Sequence, residues 1–157
     1  MFNSIMWKYI EEETEVLSSI AKNEEMEQII PQFSEIDALY IVAHGSSYNA
    51  AYCTAPFISK LANVRVYTCM PSEFIYGTQT YHNEDVERTL VLGITQTGTS
   101  SGVIKALNQA KALHFKTCAV SAKELSPIVT LADHSLLLHC GEEDSNAKTK
   151  GYSATLL

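Results

Sequence analysis

Short apolar runs separated by helix-length segments constrain this chain more than any other feature. Residues 38–43, 64–67, 90–95, 117–120 and 134–139 each read as a strand. Between them, residues 50–61 read as a helix despite Pro56, residues 71–76 as a loop or short helix, and residues 99–114 as a helix. Ser126 and Pro127 open a further short helix as its cap and first residue. Unbroken apolar runs such as ALYIVA belong to strands covered on both faces. Strands alternating with helices specify a parallel α/β sheet, and the right-handed crossover rule leaves few topologies. We expect an α/β fold, a three-layer doubly wound five-stranded parallel sheet of flavodoxin-like order 2-1-3-4-5. Its switch point lies between strands one and three. Ahead of the sheet, Met6, Tyr9, Ile10, Val16, Leu17, Ile20 and Ala21 recur at three- and four-residue steps. That spacing predicts an N-terminal helical extension of one or two helices from about residue 4 to about residue 30, closed by Pro31. The chain thus divides into a helical segment, 1–34, and a sheet domain, 35–157.

Ligands of such sheets bind outside the carboxyl ends of the strands, at the switch point. The two loops there are HGSSYN, after strand one, and TQTGTSSG, after strand three. Both are rich in glycine and hydroxyls. Thr95, Thr97, Thr99, Ser100 and Ser101 offer hydroxyl donors, Gln96 an amide, and Gly98 a close backbone approach. A helix start adds unpaired N–H groups and partial positive charge, so a ring of neutral donors there suits a phosphate. The sequence is neither a Walker loop nor GxGxxG. Taken alone, a helix cap by Thr99 or Ser100 accounts for the second loop as well as phosphate binding does. The matching Ser46-Ser47 pair tips the balance toward a ligand.

His44 ends strand one at this crevice, where it either touches a ligand or packs. His134 and His139 read as structural, and His82 and His114 as loop and helix-end residues. No metal-ligand spacing occurs and no cofactor is expected. Glu142, Glu143 and Asp144 follow strand five. A carboxylate beside a sugar can move protons between adjacent carbons, but three acids also sit favourably before a helix starting near Asn146. Spacing alone favours the second reading. The formal net charge of -7 argues against nucleic-acid binding without excluding one anion held by local dipoles. The four cysteines show no CxxC pair and read as reduced, small core residues. No apolar run is long enough for a membrane span, and Met1-Phe2-Asn3-Ser4 lacks the build of a secretory signal, so a cytoplasmic protein is expected.

Together, HGSSYNAA, ITQTGTSSG and GEEDSNAKTKGYSATLL resemble the sugar isomerase (SIS) domain family, in particular the isomerase half of glucosamine-6-phosphate synthase and its deglycase-like relatives. The likeness covers nearly the whole chain, including MWKYIEEE near its start. It implies a sugar-phosphate ligand, with the phosphate gripped by Ser47, Thr95, Gln96, Thr97 and Ser100. Ser46, Asn146 and Lys148 fall on the sugar side, and Glu143 on an acidic position given a catalytic role. The chain departs from the synthase pattern at His44, where a cysteine is usual, and at Asn146 and Lys148, where small or apolar residues are usual. Those departures leave room for a fructosamine-type or amino-acid-adducted sugar phosphate. The synthase also carries a glutaminase domain with an N-terminal cysteine nucleophile; nothing here matches it. It has two SIS domains, and its main acid–base residues come largely from the second. The sequence reaches Thr155-Leu156-Leu157 in what reads as a helix still under way. The expectation is the first half of a two-domain aldose–ketose isomerase or deglycase, partnered by a second SIS domain or a homodimer mate. A sugar-phosphate-sensing regulatory module and a nucleotide-binding domain are the lower-ranked alternatives.

Overall fold

In the computed structural model, residues 4–24, 29, 33–77, 80–145 and 147–157 are described. Five parallel strands form one sheet: β1 (Ala38–Ala43), β2 (Arg65–Cys69), β3 (Thr89–Ile94), β4 (Lys116–Ser121) and β5 (His134–Leu137). Their order is β2-β1-β3-β4-β5, the doubly wound order expected from the alternation. Helix α1 (Ile5–Ile20) precedes the sheet; α2 (Gly45–Ala62), α3 (Pro71–Tyr76), α4 (Ser101–Ala112), α5 (Pro127–Leu131) and α6 (Lys150–Leu156) follow in chain order.

β1 is buried along its whole length, because alternate side chains enter two different cores. Tyr40 and Val42 join Phe74, Val91, Val103, Leu107 and Ile128, beneath α3, α4 and α5. Leu39, Ile41 and Ala43 join Ile20, Ala51, Cys118, Val120 and Ala154, beneath α1, α2 and α6. Burial of these side chains from both faces is the main stabilising term, on the order of 1.5–3 kcal/mol for each large one. Gly93 of β3 lets α4 settle close: a Cβ there would lie 2.8 Å from Leu107 Cδ1.

Several boundaries differ from the expectation. HGSSYN is no loop: α2 begins at Gly45, not near Ala50, because Gly45 takes φ +57° and turns the chain straight from strand into helix. Pro56 stays inside α2 on its exposed side. The last helix begins at Lys150, not near Asn146. The expected N-terminal helix is α1, ending at Ile20; residues 25–28, 30 and Pro31 lie outside the described residues, as does Asn146. Among the described residues, no helix is long and apolar enough to cross a membrane.

Of the cysteines, Cys69, Cys118 and Cys140 are core residues, whereas Cys53 is exposed on α2. Burial pushes the Cys69 and Cys118 thiols up to about 12 and raises that of Cys140. Thiolate is the reactive form. A thiol reagent at neutral pH should therefore modify Cys53 alone in the native protein and all four cysteines in urea, as followed by peptide mass spectrometry. Fast native labelling of Cys69 or Cys118 would contradict the packing.

Candidate functional site

Ala43 and Ile94 are register partners at the carboxyl ends of β1 and β3, so the chain leaves the sheet at two adjacent points. One exit enters α2 through His44, Gly45, Ser46 and Ser47. The other passes through Thr95–Thr99 into α4, with Ser100 at its N-cap. These residues enclose an open cavity of about 280 Å³ lined by His44, Gly45, Ser46, Ser47, Ile94, Thr95, Gln96, Thr97, Ser100 and Lys148. Every residue expected at the phosphate lines it. So does Ser46, and so does Lys148, which arrives from the far end of the chain.

The second turn is held from below. Thr95 N–H donates to Val120 O at 3.0 Å, and Gln96 O accepts from Ala122 N–H at 3.0 Å. Gly98 takes φ +68° and closes a turn onto Thr95 O at 3.1 Å. A Cβ at Gly98 would lie 2.2 Å from Ser126 Oγ, so a larger residue could not bring this turn down onto the β4–α5 connection. Hydroxyls of Thr95, Thr97 and Thr99 run as a chain, 3.5 Å and then 2.9 Å apart. The hydroxyls of Ser46, Ser47 and Ser100, by contrast, make no hydrogen bond to another described residue. Ser100 holds the N-cap position without making the side-chain capping bond, so the helix-cap account does not use its hydroxyl. Backbone N–H groups of two helix starts and three uncommitted hydroxyls therefore face one space. An anion with several acceptor oxygens complements that arrangement.

A second cavity of about 150 Å³ shares Gln96, Thr97 and Lys148 with the first. Its other walls come from Ala122 and Lys123, after β4, and from Cys140, Gly141, Glu142, Glu143 and Asp144, after β5. Here the three acids separate. Glu142 pairs with Lys123 at 2.9 Å. Asp144 donates its N–H to Tyr9 Oη at 3.1 Å. Glu143 turns inward: Oε1 accepts from Thr149 N–H and Thr149 Oγ1, both at 2.6 Å, and Oε2 accepts from Gly151 N–H at 3.1 Å. Its carboxylate thus closes the start of α6, using the attraction of an anion for unpaired N–H groups. The Lys148 ammonium donates to Glu143 O at 2.5 Å and Ser145 O at 3.1 Å, which pins the same loop from its other side. Gly151 leaves room for Gln96, since a Cβ there would lie 2.0 Å from Gln96 Nε2 and 3.0 Å from Glu143 Oε2. Gln96 Nε2 is buried there without a hydrogen-bond partner.

Lys123 is a cavity residue that the sequence reading passed over. Its position just past β4 is the signal that would have found it, since the carboxyl end of every strand in such a sheet borders the crevice. His44 also belongs to the cavity wall. Its ring lies over Gly102, whose missing Cβ would otherwise sit 3.0 Å from Nε2.

The SIS domain family matches residues 32–157. A Staphylococcus epidermidis (strain RP62A) glutamine–fructose-6-phosphate aminotransferase (isomerizing) is 30% identical over 164 aligned residues, covering 99% of this chain and 27% of that protein. The chain thus spans about a quarter of that relative's length. A crystal structure of a candidate phosphosugar isomerase from Clostridium difficile 630 superposes with a TM-score of 0.86 at 26% identity, covering 99% of this chain and 43% of that one. The C-terminal domain of a glucosamine-fructose-6-phosphate aminotransferase from Francisella tularensis shares the fold, with a TM-score of 0.84 at 24% identity over 98% of this chain and 44% of that one. By the family match over four-fifths of its length, and in keeping with its fold, the chain belongs to the SIS domain family.

Proposed function

We propose that the chain is the sugar-phosphate-binding half of an aldose–ketose isomerase, aminotransferase or deglycase acting in the cytoplasm. The observation that carries this reading is the single cavity that gathers Ser46, Ser47, Thr95, Gln96, Thr97 and Ser100 at the switch point. Ser47, Thr97, Ser100 and the first N–H groups of α2 and α4 take the phosphate, with Thr95 and Gln96 completing the wall. The sugar then extends toward Lys148 and Ser46. Phosphate binding holds the reacting carbons at a fixed place and so lowers the barrier for moving a proton between C1 and C2.

The proton itself needs a base with a free lone pair facing the substrate. Glu143 is a carboxylate of the adjoining cavity wall, and three of its roughly four lone-pair sites already accept hydrogen bonds from Thr149 and Gly151. We assign it the role of holding the loop that carries Lys148. The base then comes from a second SIS domain or from a homodimer mate, and the isolated chain binds sugar phosphate with little turnover.

Thermal unfolding with fructose 6-phosphate, glucosamine 6-phosphate and AMP tests the ligand class. A ligand at 100 times its Kd stabilises the native state by about 2.7 kcal/mol. The sugar phosphates should raise the melting temperature and AMP should not; stabilisation by AMP alone would sink the proposal. Thr97→Val and Ser100→Ala should each cost about 1.5–3 kcal/mol of binding, roughly tenfold or more in Kd by calorimetry, as expected for a lost hydrogen bond to a charged group. Unchanged affinity in both would reduce the turn to a helix cap. Glu143→Ala should lower stability by about 1–3 kcal/mol in urea titrations, because it strips the cap from α6. A loss under about 0.5 kcal/mol would mean that the carboxylate is not holding the loop, and would reopen its case as a base.

A further inference from the structure

The sugar side of the site depends on residues near the other end of the chain. Lys150, the first residue of α6, is only 6% exposed. Its ammonium donates to Glu12 Oε2 of α1 at 2.7 Å and lies 4.6 Å from the centre of the Tyr9 ring. Tyr9 is itself buried, and its hydroxyl accepts the Asp144 N–H. One turn further along, Ser153 donates to Glu13. The helix α1 makes its main packing contact with α6.

An ammonium out of water is costly unless paired, and an apolar side chain would have served for helix packing alone. What a charged pair adds is a fixed register between two elements. That register matters here because the next residue, Gly151, both binds Glu143 Oε2 and backs the Gln96 amide. A shift of α6 along α1 would uncap Glu143, move the loop that Glu143 and Lys148 hold, and release Gln96. The turn bearing Ser100 is anchored instead by β3 and β4, and Ser47 follows directly from β1, although α2 beyond it also packs on α6.

We propose that Tyr9, Glu12 and Lys150 are positioning residues for the sugar end of the site, touching the phosphate wall only through the Gln96 amide and leaving the hydroxyls of Ser47, Thr97 and Ser100 in place. This rests on the sugar-phosphate reading above. The consequence is that recognition of the sugar and recognition of its phosphate can be separated by substitutions far from both.

Calorimetric titration of the full chain with two probes, inorganic phosphate and fructose 6-phosphate, tests this well below the melting temperature. Tyr9→Phe removes one hydroxyl and keeps the ring under Lys150, so it should fold even if Glu12→Gln does not. Either variant should raise the Kd for fructose 6-phosphate by roughly fivefold or more, while the Kd for inorganic phosphate stays within about twofold. A variant that melts earlier yet loses both probes equally, or neither, makes the cluster merely structural and overturns the inference alone. A wild-type chain that binds neither probe overturns the underlying reading and the inference with it.

Discussion

The pairing of Ala43 with Ile94 at the ends of two neighbouring parallel strands is the constraint on which the site depends. β1 leads into α2 on one face of the sheet, and β3 leads into α4 on the other. The right-handed crossover rule allows no other arrangement for strands that diverge from a switch point. Two helix starts are thereby brought together at one edge, each with unpaired N–H groups. Because both faces of the sheet are buried, neither helix can swing away without exposing its core residues. The concavity is therefore a product of the fold, and the local sequence only decides what lines it.

The lining is mostly uncharged, in a chain whose formal net charge is -7. A dianion approaching such a surface meets long-range repulsion that salt screens within roughly 10 Å. Close in, fixed dipoles decide the outcome, and hydrogen bonds to an ionised acceptor are about twice as strong as neutral ones. Lys148 supplies a full positive charge at the cavity wall, but two backbone carbonyls already orient its ammonium. That leaves it as a placed charge rather than a mobile one. The same ammonium borders the second cavity, so its charge is felt across the boundary between the two.

Much of this was legible before any coordinates. Strands and their order could be read because runs such as ALYIVA admit few alternatives to a doubly covered strand. The switch-point rule then brought residues 44–47 and 95–100 together without a single contact being known. Helix starts were less legible. Gly45 reads as loop because glycine usually marks one, yet its positive φ lets α2 start at once. The start of α6 is set by Glu143, six residues before Thr149, and local cap rules do not reach that far. Cys53 looks buried from its apolar neighbours, and only the rotation of α2 turns it outward. Nothing local marks Lys150, because its partner Glu12 is 138 residues away in the chain.

The distribution of hydrogen bonds around Glu143 bears on how chemistry could be divided in such a protein. Each lone pair committed to Thr149 and Gly151 is one that does not face the cavity. A carboxylate that gives three of its roughly four lone-pair sites to one loop makes that loop rigid and has little left to offer as a base. Rigidity is what a phosphate grip needs, since misplacing the reacting carbons by about 1 Å can cost roughly a hundredfold in rate. A base, in contrast, can be supplied across an interface by any element that closes over the open side of the cavity. Under the proposed sugar-phosphate reading, that division leaves this chain to build the receptor wall while Glu143 serves the fold.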